Sequence, residues 1–308
     1  MRPGLRSRQR ARHEDRAGAF QLVRLRRHQR NARVPPLPLI LVDGQAADAI
    51  PATDRGLAFG DGVFRTLAVR AGRPLNWSWH WRRLAADCRL LALTAPDEAV
   101  LLAELRRVAP GDAVAKIIVT RGPATRGYAP RAGSRGTRVV AAFAAPDYPP
   151  QHARDGIRAR RCALTLSEQP RLAGAKTLNR LENVLARAEW DDAAISEGLL
   201  GDAGGHVVEG TMSNLFIVHG GVVATPALAR CGVIGAQRER ARELLGGAGY
   251  ECVERDIRWA ELEVADEAFL TNSLIGIWPI AALGDRRWGA WPIARQLQQL
   301  VARDDARA

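Results

Sequence analysis

Two domains of mixed α+β (α/β) class are what this sequence predicts, and three observations predict them. Strand-like runs and amphipathic helical stretches alternate in both halves of the chain. A proline-rich break, Ala145-Pro-Asp-Tyr-Pro-Pro150, separates those halves. The 308 residues, 47% hydrophobic and 25% charged, suffice for two cores of a globular protein. The expected division is a basic extension over 1–37, a small α/β domain over 38–150 and a larger domain over 151–308.

The extension carries eleven arginines and two acids, hence +9 of the net +12, and leaves the remaining 271 residues near balance at +3. Such a tail reads as a nucleic-acid or membrane-surface arm, a targeting segment, or upstream sequence from an early start. With Phe20 its only aromatic, it offers little for stacking on single strands. A disordered or non-native start is the preferred reading, with neither nucleic acid nor membrane as a partner. No apolar run approaches the roughly 20 residues a membrane span needs. Cys88, Cys162, Cys231 and Cys252 lie far apart with no CxxC pair and no Cys/His cluster. That pattern fits reduced thiols of a cytoplasmic protein and no structural metal.

In chain order, Leu39–Val42 is a short strand closed by the turn pair Asp43-Gly44. The segment from Asp54 to Gly62 has glycines too frequent for a helix and matches neither a Walker motif nor GxGxxG; it runs into a strand over Val63–Val69. After the hairpin turn Ala71-Gly72, Ser78 caps a helix that runs to Leu91, and Asp97–Val108 reads as a second helix. Ala113–Val119 and Thr137–Phe143 are buried strands around the irregular loop Arg121–Tyr128. Past the break, Ile157–Leu166 is strand-like. Glu197–Asp202, His206–Gly210 and Asn214–Val218 follow as three more strands, and Phe269–Leu274 is a strand ending in a hydroxyl-rich turn. Cys231-Gly-Val-Ile-Gly235 opens a helix to about Leu245, where backbone N–H groups and the helix dipole suit an anion.

The chemistry centres on Leu172-Ala-Gly-Ala-Lys-Thr-Leu-Asn-Arg-Leu-Glu-Asn183. Lys176 is one of only a few lysines in a chain that otherwise uses arginine, and only lysine can form a Schiff base. Asn179 and Glu182 have capping-box spacing, so a helix starts near Leu181 with Leu181, Val184, Leu185 and Ala188 on its buried face. Glu209 is the nearest candidate carboxylate, and Arg83, the Val233 and Ile234 amides, and Asn272 or Ser273 could hold a phosphate. Together these are the parts of a pyridoxal 5'-phosphate site: an amine, a carboxylate for the ring nitrogen, and an anion cradle. Each part also has a plain reading, as a solvated lysine, a strand-end glutamate or a surface arginine.

The pieces DRGLAFGDGVFRT (54–66), HWRRL (80–84), RGPATRGY (121–128), LAGAKTLNRLENVLAR (172–187), VVEGTMSNLF (207–216), CGVIG (231–235) and TNSLIGIWPI (271–280) occur in order. Through them the sequence resembles the class IV aminotransferase-type, or fold-type IV, pyridoxal phosphate enzymes, which share the D-amino acid aminotransferase-like fold. KTLNRLEN and RGPATRGY make it most similar to the lyase branch, which splits 4-amino-4-deoxychorismate into 4-aminobenzoate and pyruvate for folate synthesis. A branched-chain or D-amino acid transaminase on the same scaffold is the alternative. The resemblance implies that Lys176 is the catalytic Schiff-base lysine and Glu209 the ring-nitrogen carboxylate. It assigns Arg83, Val233, Ile234, Asn272 and Ser273 to the phosphate, and Arg126 and Tyr128 to a substrate carboxylate. It further implies a homodimer acting on a small molecule. Many relatives carry glutamate where this chain has Arg65, near the site entrance, so substrate choice is expected to hinge on that position.

Overall fold

The computed structural model describes residues 39–130, 133 and 135–306. The extension 1–37 and the domain limits drawn from it lie outside the described residues. Two sheets organise the rest. The first is antiparallel and built from β1 (Ile40–Val42), β2 (Gln45–Ala46), β3 (Gly62–Arg70), β4 (Arg73–Pro74), β5 (Ala113–Thr120) and β6 (Arg138–Phe143), in the order β2-β1-β6-β5-β3-β4. Its centre is the eight-residue ladder of β3 on β5, from Gly62↔Thr120 to Val69↔Ala113. Three helices belong to this half: α1 (Arg55–Phe59), α2 (Trp77–Leu90) and α3 (Glu98–Val108). Alternation along β3 sends Val63, Leu67 and Val69 into a core with Leu84 and Cys88 of α2 and Leu101 and Leu105 of α3.

The second half contains α4 (Pro150–Asp155), β7 (Ile157–Leu166), α5 (Leu181–Arg187), β8 (Glu197–Asp202), β9 (His206–Gly210), β10 (Asn214–His219), β11 (Val222–Pro226), α6 (Ala236–Gly247), β12 (Cys252–Arg255), β13 (Ile257–Arg258), α7 (Trp259–Val264), β14 (Glu267–Asn272), β15 (Gly276–Leu283), β16 (Arg286–Arg287) and α8 (Pro292–Asp305). Its ten strands form a mixed sheet ordered β12-β11-β10-β14-β15-β7-β8-β9-β13, with β16 on β15. β8 and β10 are buried along nearly their whole length, as strands covered on both faces are. Phe216 and Phe269 stack at 5.1 Å on the face covered by α6 and α8. The molecule is thus α+β with two sheets, and the Ala145–Pro150 break lies between β6 and β7; we propose it as the domain boundary.

Three local expectations are corrected. The glycine-rich segment does form a short helix, α1, because Asp54 caps it and Gly60 ends it in the left-handed region at φ 66°. α2 begins before Ser78, after Asn76 at φ 55°. α5 starts at Leu181 as expected, but with no side-chain cap: Glu182 instead accepts from the Ser167 N–H. Its apolar face is outward, with Leu181, Val184 and Leu185 exposed by 68%, 61% and 53% and Ala188 exposed too. Only Ala186 of this helix is buried, because a seven-residue helix lying on β7 and β8 meets them along one narrow line.

Asp54 ties α1 to the first sheet. It is fully buried, accepts the Gly56 N–H at 2.7 Å, and accepts the hydroxyls of Thr120 and Thr137 at 3.0 and 2.7 Å. Asp54→Ala leaves these three donors buried without an acceptor. The expected loss is about 2–4 kcal/mol, read as a lowered urea midpoint at unchanged m-value.

Candidate active site

Residues Gly174–Leu178 run between the two halves and are hydrogen-bonded on both edges. On one edge the Phe64 N–H donates to the Lys176 carbonyl at 3.0 Å and the Leu178 N–H to Gly62 at 3.0 Å, a bridge onto β3. On the other, the Gly174 N–H donates to Gly232 and the Ile234 N–H to Gly174, both at 2.9 Å. Gly174 has φ +78°, and a Cβ there would lie 2.8 Å from Ile234 Cδ1, so glycine alone fits. The backbone of Lys176 is fixed further by its N–H, which donates to Asp87 Oδ2 at 3.2 Å.

The Lys176 side chain enters a cavity of about 330 Å³, within the size range of small-molecule sites. Its Nζ sits 4.7 Å from the centre of the Phe64 ring. Burial lowers the amine to about 8, with the Arg65 charge lowering it further and Glu209 pulling the other way. Glu209, on β9, lines the same cavity and is 4% exposed. Burial pushes its carboxyl up to about 7 against the opposing effect of the Val233 N–H, which donates to Oε2 at 2.8 Å. A buried amine and a buried carboxyl thus face one space, each drawn toward its neutral form by loss of water.

The remaining predicted residues divide. Asn272 and Ser273 line the cavity at the β14–β15 turn. Asn272 builds that turn, its Oδ1 accepting the Leu274 and Ile275 amides at 2.8 and 2.9 Å and its Nδ2 donating to Met212 O at 3.0 Å. Of Val233 and Ile234, expected to cradle an anion, Val233 lines the cavity. Both amides are already spent, on Glu209 and Gly174, and the Ile234 side chain does not line the cavity. The Gly235 N–H is held by Asn214 Oδ1 at 3.0 Å, so helix α6 opens into the cavity with the Ala236 and Gln237 amides unaccepted among the described residues. Arg83 is outside the cavity lining; its Nη2 lies 3.3 Å from both Asp87 Oδ1 and Gly174 O, and its Nε has no acceptor. Arg126 and Tyr128 are exposed and do not reach this cavity, Tyr128 by 84% with its ring against Phe59. Their loop is held away by Arg55, which donates to the Gly127 and Tyr128 carbonyls at 2.8 and 2.9 Å.

Arg65 is a buried wall residue rather than an entrance residue, 2% exposed and ion-paired with Asp87. It replaces one apolar member of the inward stripe of β3. The cavity also gathers residues the sequence reading did not select. His80 has both ring nitrogens buried without partners, and burial, Arg65 and Lys176 push it down to about 3, so it is neutral. Its place one turn before Arg83 in HxxRL was the only signal for it. Arg180 and Asn183 stand within KTLNRLEN, Gln237 follows the CGVIG glycines, and Tyr148 comes from the break between the sheets.

The turn Thr211–Ser213 closes one side. Glu197, 1% exposed, accepts the Thr211 N–H at 3.1 Å, the Thr211 hydroxyl at 2.5 Å and the Ser213 hydroxyl at 2.7 Å. Among the described residues no cluster of three His, Cys, Asp or Glu could hold a metal.

A chain with this lysine–carboxylate cavity, set between an antiparallel sheet and a mixed one, is of the pyridoxal phosphate class. Residues 62–283 match amino-transferase class IV, and the chain belongs to that family. The structure resembles the crystal structure of 4-amino-4-deoxychorismate lyase from Pseudomonas aeruginosa, with 48% identity, a TM-score of 0.83, and coverage of 86% of this chain and 99% of that one. An aminodeoxychorismate lyase of Vibrio harveyi is 33% identical over 244 residues, 79% of this chain and 90% of its own. A hypothetical aminotransferase from Mycobacterium tuberculosis, solved in a PLP-bound form, is 26% identical with a TM-score of 0.73, covering 85% and 97%.

The family cofactor is pyridoxal 5'-phosphate, and the cavity fits it. The site offers a lysine amine held below its ordinary pKa, a carboxyl lining the same cavity, and, for the phosphate, the open amides at the start of α6 together with Ser273. The unpartnered His80 ring and Gln237 Nε2 add buried polar atoms that await a ligand.

With its amine at about 8, Lys176 is mostly ammonium at pH 7 and mostly free base at pH 9. In cofactor-free protein, an amine-directed reagent read by peptide mapping is expected to modify Lys176 with a midpoint near pH 8. Arg65→Met removes a buried cation and is expected to raise that midpoint.

Proposed function

We propose that this chain is a pyridoxal-phosphate-dependent aminodeoxychorismate lyase, releasing 4-aminobenzoate and pyruvate from 4-amino-4-deoxychorismate. The observation that carries the reading is the 48% identity to a lyase of that name across 99% of its length, with Lys176 and Glu209 facing one cavity. Lys176 and Glu209 would hold the two ends of the cofactor ring; Ser273 and the Ala236 and Gln237 amides would hold its phosphate. When bound, the cofactor supplies an electron sink for charge developing at the amine-bearing carbon.

The protein moves the protons. Lys176 Nζ, as free base, takes the proton from the amine-bearing ring carbon of the substrate. With the cofactor bound, the Glu209 carboxylate would sit against its ring nitrogen and favour positive charge there, as the electron-sink chemistry requires. The adjacent carbon–oxygen bond breaks, the enolpyruvyl group leaves, and the Lys176 ammonium returns the proton to its methylene carbon, giving pyruvate. The other product is aromatic, which drives the reaction forward.

The outward apolar face of α5 is the basis for proposing a homodimer. Leu57 and Phe59 of α1 extend this face, because Gly60 packs against Asn179 just ahead of Leu181. Exposed patches of this kind mark association surfaces. Val184→Asp with Leu185→Asp is expected to halve the mass measured by light scattering; an unchanged dimer would remove this face from the interface. A folate-pathway enzyme of the cytoplasm is the cellular setting that goes with this reading.

The deciding assay is purified holoenzyme with 4-amino-4-deoxychorismate and no keto acid. Equal amounts of 4-aminobenzoate and pyruvate over many turnovers are expected, with Lys176→Ala inactive. Glu209→Gln is expected to keep bound cofactor and lose most activity. No aromatic product in this assay, with exchange of an amino group once a keto acid and an amino donor are supplied, would instead assign a transaminase.

A further inference from the structure

Methionine occurs twice in the chain, as Met1 and Met212, and Met212 is the only one among the described residues. Methionine is an adaptable apolar side chain that cores ordinarily absorb. Met212 is instead 40% exposed and lines the cavity from the Thr211–Ser213 turn. Its backbone is held on both sides. The N–H donates to Glu197 Oε2 at 3.3 Å, and the carbonyl accepts from Asn272 Nδ2 at 3.0 Å. The turn cannot carry this side chain away from the cavity without giving up both bonds.

The thioether meets one polar group. The Tyr148 hydroxyl donates to Met212 Sδ at 3.9 Å, a contact to a weak acceptor. Tyr148 also lines the cavity, and its ring packs edge-on against Trp278 at 5.0 Å. Tyr148 comes from the break between the sheets and Met212 from the turn between β9 and β10. The pair therefore links two separate segments of the cavity wall.

Sulfur chemistry singles out the same residue. A thiol reacts with peroxide as its thiolate, and burial pushes Cys88, Cys162 and Cys231 up to about 12. Burial raises Cys252 too, so at neutral pH these thiols hold their protons. A thioether has no proton to lose, and its oxidation depends on access. Met212 has that access.

We propose that Met212 is an oxidation site in the cavity wall, and that its sulfoxide restricts the entry of small molecules to the cofactor. The sulfur lone pair attacks one oxygen of a hydroperoxide. The O–O bond breaks as the S–O bond forms, and the other oxygen leaves as water or an alcohol. Sulfur gives up two electrons and the peroxide gains them. The sulfoxide carries a strong acceptor oxygen beside the Tyr148 hydroxyl, so a weak contact becomes a full hydrogen bond across the wall. A thiol-dependent sulfoxide reductase reverses the change. The effect on entry rests on the cofactor reading above; the oxidation does not.

The test uses full-length holoenzyme treated with dilute hydrogen peroxide, with peptide mapping to separate oxygen on Met212 from oxygen on Met1. One readout is the rate at which hydroxylamine strips pyridoxal phosphate, followed by visible absorbance and independent of which substrate the enzyme takes. The other is kcat/KM for 4-amino-4-deoxychorismate. Both are expected to fall about tenfold as Met212 is converted, the equivalent of one added hydrogen bond. Sulfoxide reductase with dithiothreitol is expected to restore them. Met212→Leu, measured against its own untreated rates, is expected to hold both through the same exposure. Tyr148→Phe is expected to take up the oxygen on Met212 and lose less, having no hydroxyl to donate. Met212 left unmodified, or fully converted with both rates unchanged, overturns the proposal. So does a Met212→Leu chain that loses its rates as fast as wild type. A slowed hydroxylamine reaction in a chain that made no 4-aminobenzoate before treatment keeps the oxidation site and overturns the lyase reading. A wild-type chain that takes up no pyridoxal phosphate overturns the cofactor reading and, with it, the effect on entry.

Discussion

Everything at the site depends on five residues of backbone being hydrogen-bonded on both edges. Gly174–Leu178 joins β3 of the first sheet to the Gly232–Ile234 segment of the second, so Lys176 is the point where the two halves meet. Its side chain has no other region to occupy than the space between them. Gly174 supplies the left-handed turn, at φ +78°, from which the segment enters that ladder. Catalytic position is here a consequence of sheet assembly.

The electrostatics follow from the same arrangement. Bringing the halves together buries Lys176, Glu209, Arg65, Asp87 and Glu197 within one region, and each must find compensation there. Asp87 receives Arg65, Arg83 and the Lys176 amide; Glu197 receives the Thr211–Ser213 turn. Of these five, Lys176 and Glu209 line the cavity without an ion pair. A buried network that satisfies its structural charges and leaves two reactive groups unsatisfied is how a folded chain reserves binding energy for a ligand.

Much of this was legible in the residues. The strands over 63–69 and 113–119 announced themselves by β-branched runs, and Lys176 in its small-residue setting stood out against a background of arginine. What escaped was fixed by contacts distant in sequence. Glycines in CGVIG signalled an anion-binding helix start, yet which amides stay open is decided by Glu209 and Asn214 from another strand. The apolar spacing in α5 gave the right helix and the wrong direction, since periodicity locates a stripe without saying what covers it. RGPATRGY matched a motif, but Arg55 holds its loop outside this cavity. His80 and Tyr148 carried no pattern of their own.

The Arg65–Asp87 pair has a meaning beyond its place in the wall. A guanidinium in an otherwise apolar stripe is tolerable only because α2 presents a carboxylate at that height, and that carboxylate also receives the Lys176 backbone. An acidic residue at 65 would set two carboxylates against each other in a dry space and loosen β3, to which the lysine segment is hydrogen-bonded. Positions 65 and 87 are therefore coupled: a change at either one alone leaves a buried charge without its partner, so the two can be exchanged only together.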